Sequence, residues 1–139
     1  MKDNTLLPQG SILTNNVTVK DEELSATKTY KVDFEKGTIV GFCDEVQALK
    51  QAIYLILNTE RYEYLIYSWN YGVEFKSVIG KNKDIEESEY KRVIKEALLQ
   101  DDRISEVDNF VFDYEKDSVT IGFAVFSIYG EIHLEREVR

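Results

Sequence analysis

The sequence predicts an α+β fold, with two main helices packed on one face of a mostly antiparallel sheet and an extended arm at the N-terminus. Three patterns carry that expectation. Two segments with capping signals bear apolar stripes of helical period, segments toward both ends alternate with the period of a strand, and the first 29 residues do neither. The division expected is an arm over residues 1–29 and one α+β domain over residues 30–139.

In the arm, Pro8-Gln9-Gly10-Ser11 is a breaker, and Asn15-Asn16 and Asp21-Glu22-Glu23 are polar clusters. Such a segment suits a place along a neighbour or a poorly ordered terminus. Tyr30, Val32 and Phe34 then alternate with Lys31, Asp33 and Glu35, the pattern of a half-buried strand. Turn chemistry at Glu35-Lys36-Gly37-Thr38 followed by Ile39-Val40 makes a hairpin. Asp44 with Gln47 resembles a capping box, and Val46, Leu49, Ile53, Ile56 and Leu57 form one helical stripe that ends near Asn58. Residues 62–67 combine Tyr, Leu and Ile into a segment of strong strand propensity. After the break at Ser68-Trp69-Asn70-Tyr71-Gly72, residues 73–79 suit either a short helix or an extended segment. Asp84 with Glu87 opens the second helix, whose stripe is Tyr90, Val93, Ile94, Ala97 and Leu98. Strands follow around residues 110–114 and 119–127, with a last edge at Ile132-His133-Leu134.

Composition narrows the function. The chain has 139 residues, 43% hydrophobic and 31% charged, which is ordinary for one globular domain. Its net charge is −9, and the excess is uneven: residues 81–139 carry 9 basic and 15 acidic side chains, against 8 and 11 in residues 1–80. An acidic chain lacks the basic face that duplex nucleic acid or an anionic membrane requires. The acidic second half reads as a solvated surface or as an acidic docking face. One cysteine, Cys43, and one histidine, His133, leave no internal disulfide and none of the common zinc arrangements. The longest apolar run, Ile53-Tyr54-Leu55-Ile56-Leu57, is too short to span a bilayer, and the N-terminus shows no signal-peptide pattern. Synthesis and folding in the cytoplasm, without a cofactor, follow as expectations.

Catalytic signals are sparse. Glycine-rich phosphate loops are missing, and His133 between Ile132 and Leu134 reads as a solvated strand residue. Paired carboxylates among Glu60, Glu63, Glu74, Asp101 and Asp102 leave a cell-wall-degrading glycosidase as the alternative function. The aromatic run Tyr62, Tyr64, Tyr67, Trp69 and Tyr71 either covers a core or supplies anchors for a protein contact.

The string Gln51-Ala52-Ile53-Tyr54-Leu55-Ile56-Leu57-Asn58-Thr59-Glu60-Arg61-Tyr62, with Tyr71-Gly72 beyond it, resembles the sheath-initiator wedge family of contractile phage baseplates, historically called lysozyme-like. Thr29-Tyr30-Lys31-Val32-Asp33-Phe34 and Ile66-Tyr67-Ser68-Trp69-Asn70-Tyr71-Gly72 are similar to its branch in Gram-positive prophages and tailocins. The family's Glu-Pro-Arg motif stands here as Asp101-Asp102-Arg103, without the proline, and Thr59 replaces a glycine common before Glu60. The resemblance implies a non-enzymatic baseplate component, built in the host cytoplasm and carried in a virion or tailocin. Its implied partners are the tail sheath protein, baseplate wedge proteins, and hub or inner tube proteins. It implies that the sheath adds a strand to a C-terminal edge, either Val119, Ile121, Phe123 and Val125 or the terminal strand with Ile132 and Leu134. Arg61, Trp69, Tyr71, Asp101 and Arg103 complete the expected interface.

Overall fold

The structure is a computed structural model that describes residues 28–139; the expected arm lies outside the described residues but for its last two, of which Thr29 already opens a strand. Strands β1 (Thr29–Asp33) and β2 (Thr38–Cys43) form the expected antiparallel hairpin. Helix α1 spans Glu45–Leu57, a single 3-10 turn spans Phe75–Ser77, and helix α2 spans Lys83–Leu98. Strands β3 (Ile104–Tyr114), β4 (Val119–Ser127) and β5 (Gly130–Val138) close the chain.

Both helical stripes fold as their periodicity dictates. Leu49, Ile53, Ile56 and Leu57 of α1 meet Tyr90, Val93, Ile94, Ala97 and Leu98 of α2. Together they pack on Val107, Ile121, Phe123, Val125, Ile132 and Val138 of the three-stranded sheet. Asp44 caps α1 by accepting the Glu45 N–H at 2.7 Å. Asn58 ends that helix in a right-handed conformation, its side-chain amide and backbone N–H both donating to the Tyr54 carbonyl. The second capping signal is displaced: α2 starts at Lys83 after Asn82, and Asp84 lies in the first turn, where it faces the helix dipole.

Two expectations are corrected. Among the described residues the strands form two sheets, β1-β2 and β3-β4-β5, so the first hairpin stands apart from the core. Tyr30, Phe34, Ile39, Val40 and Phe42 are exposed on it, not half-buried. Gln51 of α1 tethers the hairpin with both ends of its amide: Oε1 accepts the Val32 N–H at 3.0 Å and Nε2 donates to the Tyr30 carbonyl at 2.7 Å.

Residues 62–67 are the second correction, for they form turns and not a strand. A parallel bridge between Glu60 and Val73 pinches the chain into a closed excursion. Inside it, the Glu63, Tyr67 and Tyr71 N–H groups donate to carbonyls three residues back, so no extended run survives to pair. High strand propensity finds no ladder here, and the rings pack on one another instead: Tyr62 on Trp69, Tyr64 on Tyr67, and Tyr67 on Tyr71.

Candidate protein-docking surfaces

The three-stranded sheet has two edges, and they differ. On one edge, β3 shifts register twice against β4, between Ile104 and Glu106 and between Asp108 and Val111, with Asn109 at φ 58°. Bulges of this kind bend a strand and break the even row of groups that a further strand needs. On the other edge, β5 keeps an unbroken register with β4 from Val119↔Val138 to Ser127↔Gly130. It has neither proline nor bulge. Among the described residues, the outer side of β5 has no strand paired to it.

That order corrects one of the two edges named above. β4 is central, hydrogen-bonded to a strand on either side, and Val119, Ile121, Phe123 and Val125 are buried core side chains. Of the two strands expected as the edge, the terminal one is an edge strand: Ile132 is buried and Leu134 packs against the core while their neighbours face out. Sequence periodicity reads both strands correctly, but it cannot say which is central, because strand order is a property of pairing.

Beside the C-terminal half of β5 lies an open groove of about 530 Å³. Leu57, Phe75, Ile79 and Val138 supply its apolar lining, and Glu60, Glu63, Lys76 and Arg136 are among its polar lining. Lys76 pairs with Glu63 at 3.1 Å, a contact that raises its pKa, and its backbone N–H donates to Glu60. The Arg136 Nε is buried in the groove wall with no hydrogen-bond partner among the described residues. The carboxylates proposed for the glycosidase alternative are largely engaged with cations: Glu63 with Lys76, Glu74 with Arg61, and Asp101 with Arg103. For Asp101 that pairing holds the carboxyl below the usual range, the opposite of what a general acid needs.

The residues expected at an interface separate into different roles. Arg61 is only 8% exposed. It donates through Nε and one terminal nitrogen to the Gly72 carbonyl, each at 3.3 Å, and through the other to Glu96 at 3.1 Å, with Glu74 at 3.6 Å. The one buried cation among the described residues, it clamps the two ends of the excursion onto α2. Trp69, by contrast, is 81% exposed, and Leu65 and Ile66 beside it are almost wholly so. Tyr71 is half-buried, stacked on Tyr67 at 4.7 Å, and burial and then the neighbouring Tyr67 raise its hydroxyl pKa.

Asp101 and Arg103 form a bidentate pair at 2.9 and 2.7 Å just after α2, and Asp101 also accepts the Arg103 backbone N–H. Burial pushes the Asp101 carboxyl up, but the Arg103 hydrogen bonds win and hold it below the usual range. The Arg103 carbonyl in turn accepts the Ile128 N–H at 3.0 Å, joining this corner to the β4-β5 turn. The pair is therefore spent on its own fold, and Asp102 alone is exposed. Replacing Arg103 with Gln is expected to cost about 1.5–3 kcal/mol at neutral pH. Because the folded Asp101 pKa is depressed, that stabilisation is present above the ordinary aspartate pKa and is lost as pH falls through the folded value. Thermal melts of the two proteins are expected to differ most at pH 7, the gap narrowing as pH falls below the ordinary aspartate value.

The surface of the described residues thus presents an exposed aromatic excursion and an even, unpaired strand edge. The chain belongs to the contractile injection system sheath initiator family, whose profile matches residues 27–130. It is a structural component of a contractile injection system, of the phage-tail baseplate kind. The phage-like element PBSX protein XkdS of Bacillus subtilis (strain 168) is 35% identical over 127 residues, which cover 88% of this chain and 90% of that protein. A Gram-positive prophage context, expected from the sequence, is that relative's own. The family match stops at Gly130, the first residue of β5. The open edge is thus an observation on this structure itself.

Proposed function

We propose that this chain acts without catalysis, seated in the baseplate among wedge and hub or inner tube proteins, and starts sheath assembly by accepting a sheath strand along β5. The observation that carries the reading is the contrast between the twice-bulged β3 edge and the even, unpaired β5 edge. Backbone hydrogen bonds along such an edge supply adhesion, and alternate side chains set the register. Glu131, His133 and Glu135 keep the edge soluble until a partner arrives, as charged side chains on edge strands do. The test is a map of the assembled baseplate: a strand of the sheath protein lying against residues 130–138 supports the reading, and bare solvent along β5 overturns it.

The aromatic excursion supplies a second contact in this reading, with Trp69 and Tyr71 as anchors on a neighbouring baseplate subunit. Because Trp69 is exposed, Trp69→Ala is expected to change stability by no more than about 0.5 kcal/mol. The same substitution is expected to lower incorporation of the protein into particles several-fold, measured by blotting purified tails.

A further inference from the structure

The acidic excess of the second half of the chain is concentrated on one face of the β3-β4-β5 sheet. In β5, Glu131, His133, Glu135 and Glu137 are exposed and alternate with the inward residues Ile132, Leu134, Arg136 and Val138. Residues paired directly across an antiparallel ladder share a face. The register pairs Glu131 with Phe126, Glu135 with Gly122 and Glu137 with Thr120, and on the far side pairs Glu106 with Phe126, Asp108 with Ala124 and Asp113 with Thr120. Six carboxylates therefore lie on the outer face. The only Lys or Arg within the three strands is Arg136, and it lies on the inner face.

Glu131 has His133 beside it at 3.2 Å and Glu137 has Arg139 at 3.1 Å, while Glu135 has no ion-pair partner among the described residues. A strand laid along β5 sets its own side chains directly opposite this row on one face. On the other face, along the C-terminal half of β5, it sets them beside the groove in which Leu57, Phe75 and Ile79 form the apolar lining between Glu60, Glu63 and Lys76. Opposite charges facing each other across a ladder stabilise it, and like charges oppose it.

We propose that the strand received by β5 is itself two-faced, with Lys or Arg at the positions facing Glu131, Glu135 and Glu137 and apolar side chains at the positions between them. This rests on the reading of β5 as the receiving edge and adds the partner's chemistry to it. The acidic face acts as a selector: it admits a basic strand and repels an acidic one, including a second copy of β5.

Fluorescent peptides of nine residues, the length of β5, test this with the full chain. One alternates Lys and Val, one alternates Glu and Val, and each is also made with every backbone nitrogen methylated. The Lys/Val peptide is expected to bind at least about tenfold more tightly than the Glu/Val peptide at low salt, with the margin shrinking as salt screens the exposed pairs. The order is expected to reverse on the triple variant E131K/E135K/E137K, whose exposed substitutions leave the circular dichroism spectrum unchanged. Methylation is expected to abolish binding. Equal affinity of the Lys and Glu peptides, both lost on methylation, overturns the charge selection and leaves the receiving edge intact. Binding that survives methylation overturns the receiving edge instead, and absence of binding by every peptide overturns both.

Discussion

One of two neighbouring proline substitutions in β5, Glu135→Pro or Arg136→Pro, is expected to leave the protein folded and yield tails without attached sheath; the other is expected to unfold it. Along an antiparallel strand, successive residues direct their N–H groups to opposite sides. One of this pair donates to β4, and removing that donor from within the sheet costs about 3 kcal/mol or more. The other directs its N–H to the open side, where proline disturbs nothing within the chain but denies a bond to the arriving strand. Thermal melts sort the two, and electron microscopy of particles made with the folded one gives the fraction sheathed. A folded variant that still gives wild-type numbers of sheathed tails excludes β5 as the receiving strand. Truncation is a poorer probe, because Ile132 and Val138 belong to the core and β5 covers one whole side of β4.

Gly72→Ala is expected to destabilise the protein by about 3 kcal/mol and lower its melting temperature by about 10 °C. Gly72 sits at φ 97°, and a Cβ there would lie 2.5 Å from the Thr59 carbonyl oxygen and 3.1 Å from the Arg61 nitrogen. Both neighbours are backbone and belong to the bridge that closes the excursion, so neither can swing aside. Any retreat of Gly72 also takes its carbonyl from Arg61, which leaves a buried guanidinium short of acceptors. Gly80→Ala is the control: Gly80 is at φ 92° but a Cβ there meets nothing within 4 Å, so only backbone strain of about 1–2 kcal/mol is expected. Equal melting temperatures for the two variants would show that the close approach at Gly72 contributes nothing.

Much of the architecture was legible in the chain because its signals are local. The α2 stripe from Tyr90 to Leu98 and the alternation through β4 and β5 follow from the geometry of single elements. The misread segment at residues 62–67 shows where local signals stop: Tyr, Leu and Ile favour a strand only if another strand is there to pair. The bridge at Glu60 and Val73 turns the chain before that can happen. Gly72 was the available hint, since glycine marks places where backbone meets backbone. The burial of Arg61 is hidden in the sequence for a similar reason. A cation among exposed aromatics reads as a surface group, and its burial depends on Gly72, Glu74 and Glu96, brought together only by the fold. The terminal strand was named as one of two possible edges, and pairing with β4 decides between them.

The two kinks in β3 carry a consequence for assembly as a whole. A sheet with two even margins propagates: each copy takes a guest on one side and serves as host on the other, and the product is an endless ribbon. If β5 receives the sheath strand as proposed, a subunit with its β3 margin bent out of use would have a valence of one. It would seat a single guest and stop, and the strands held at the tail's end would equal the copies placed there.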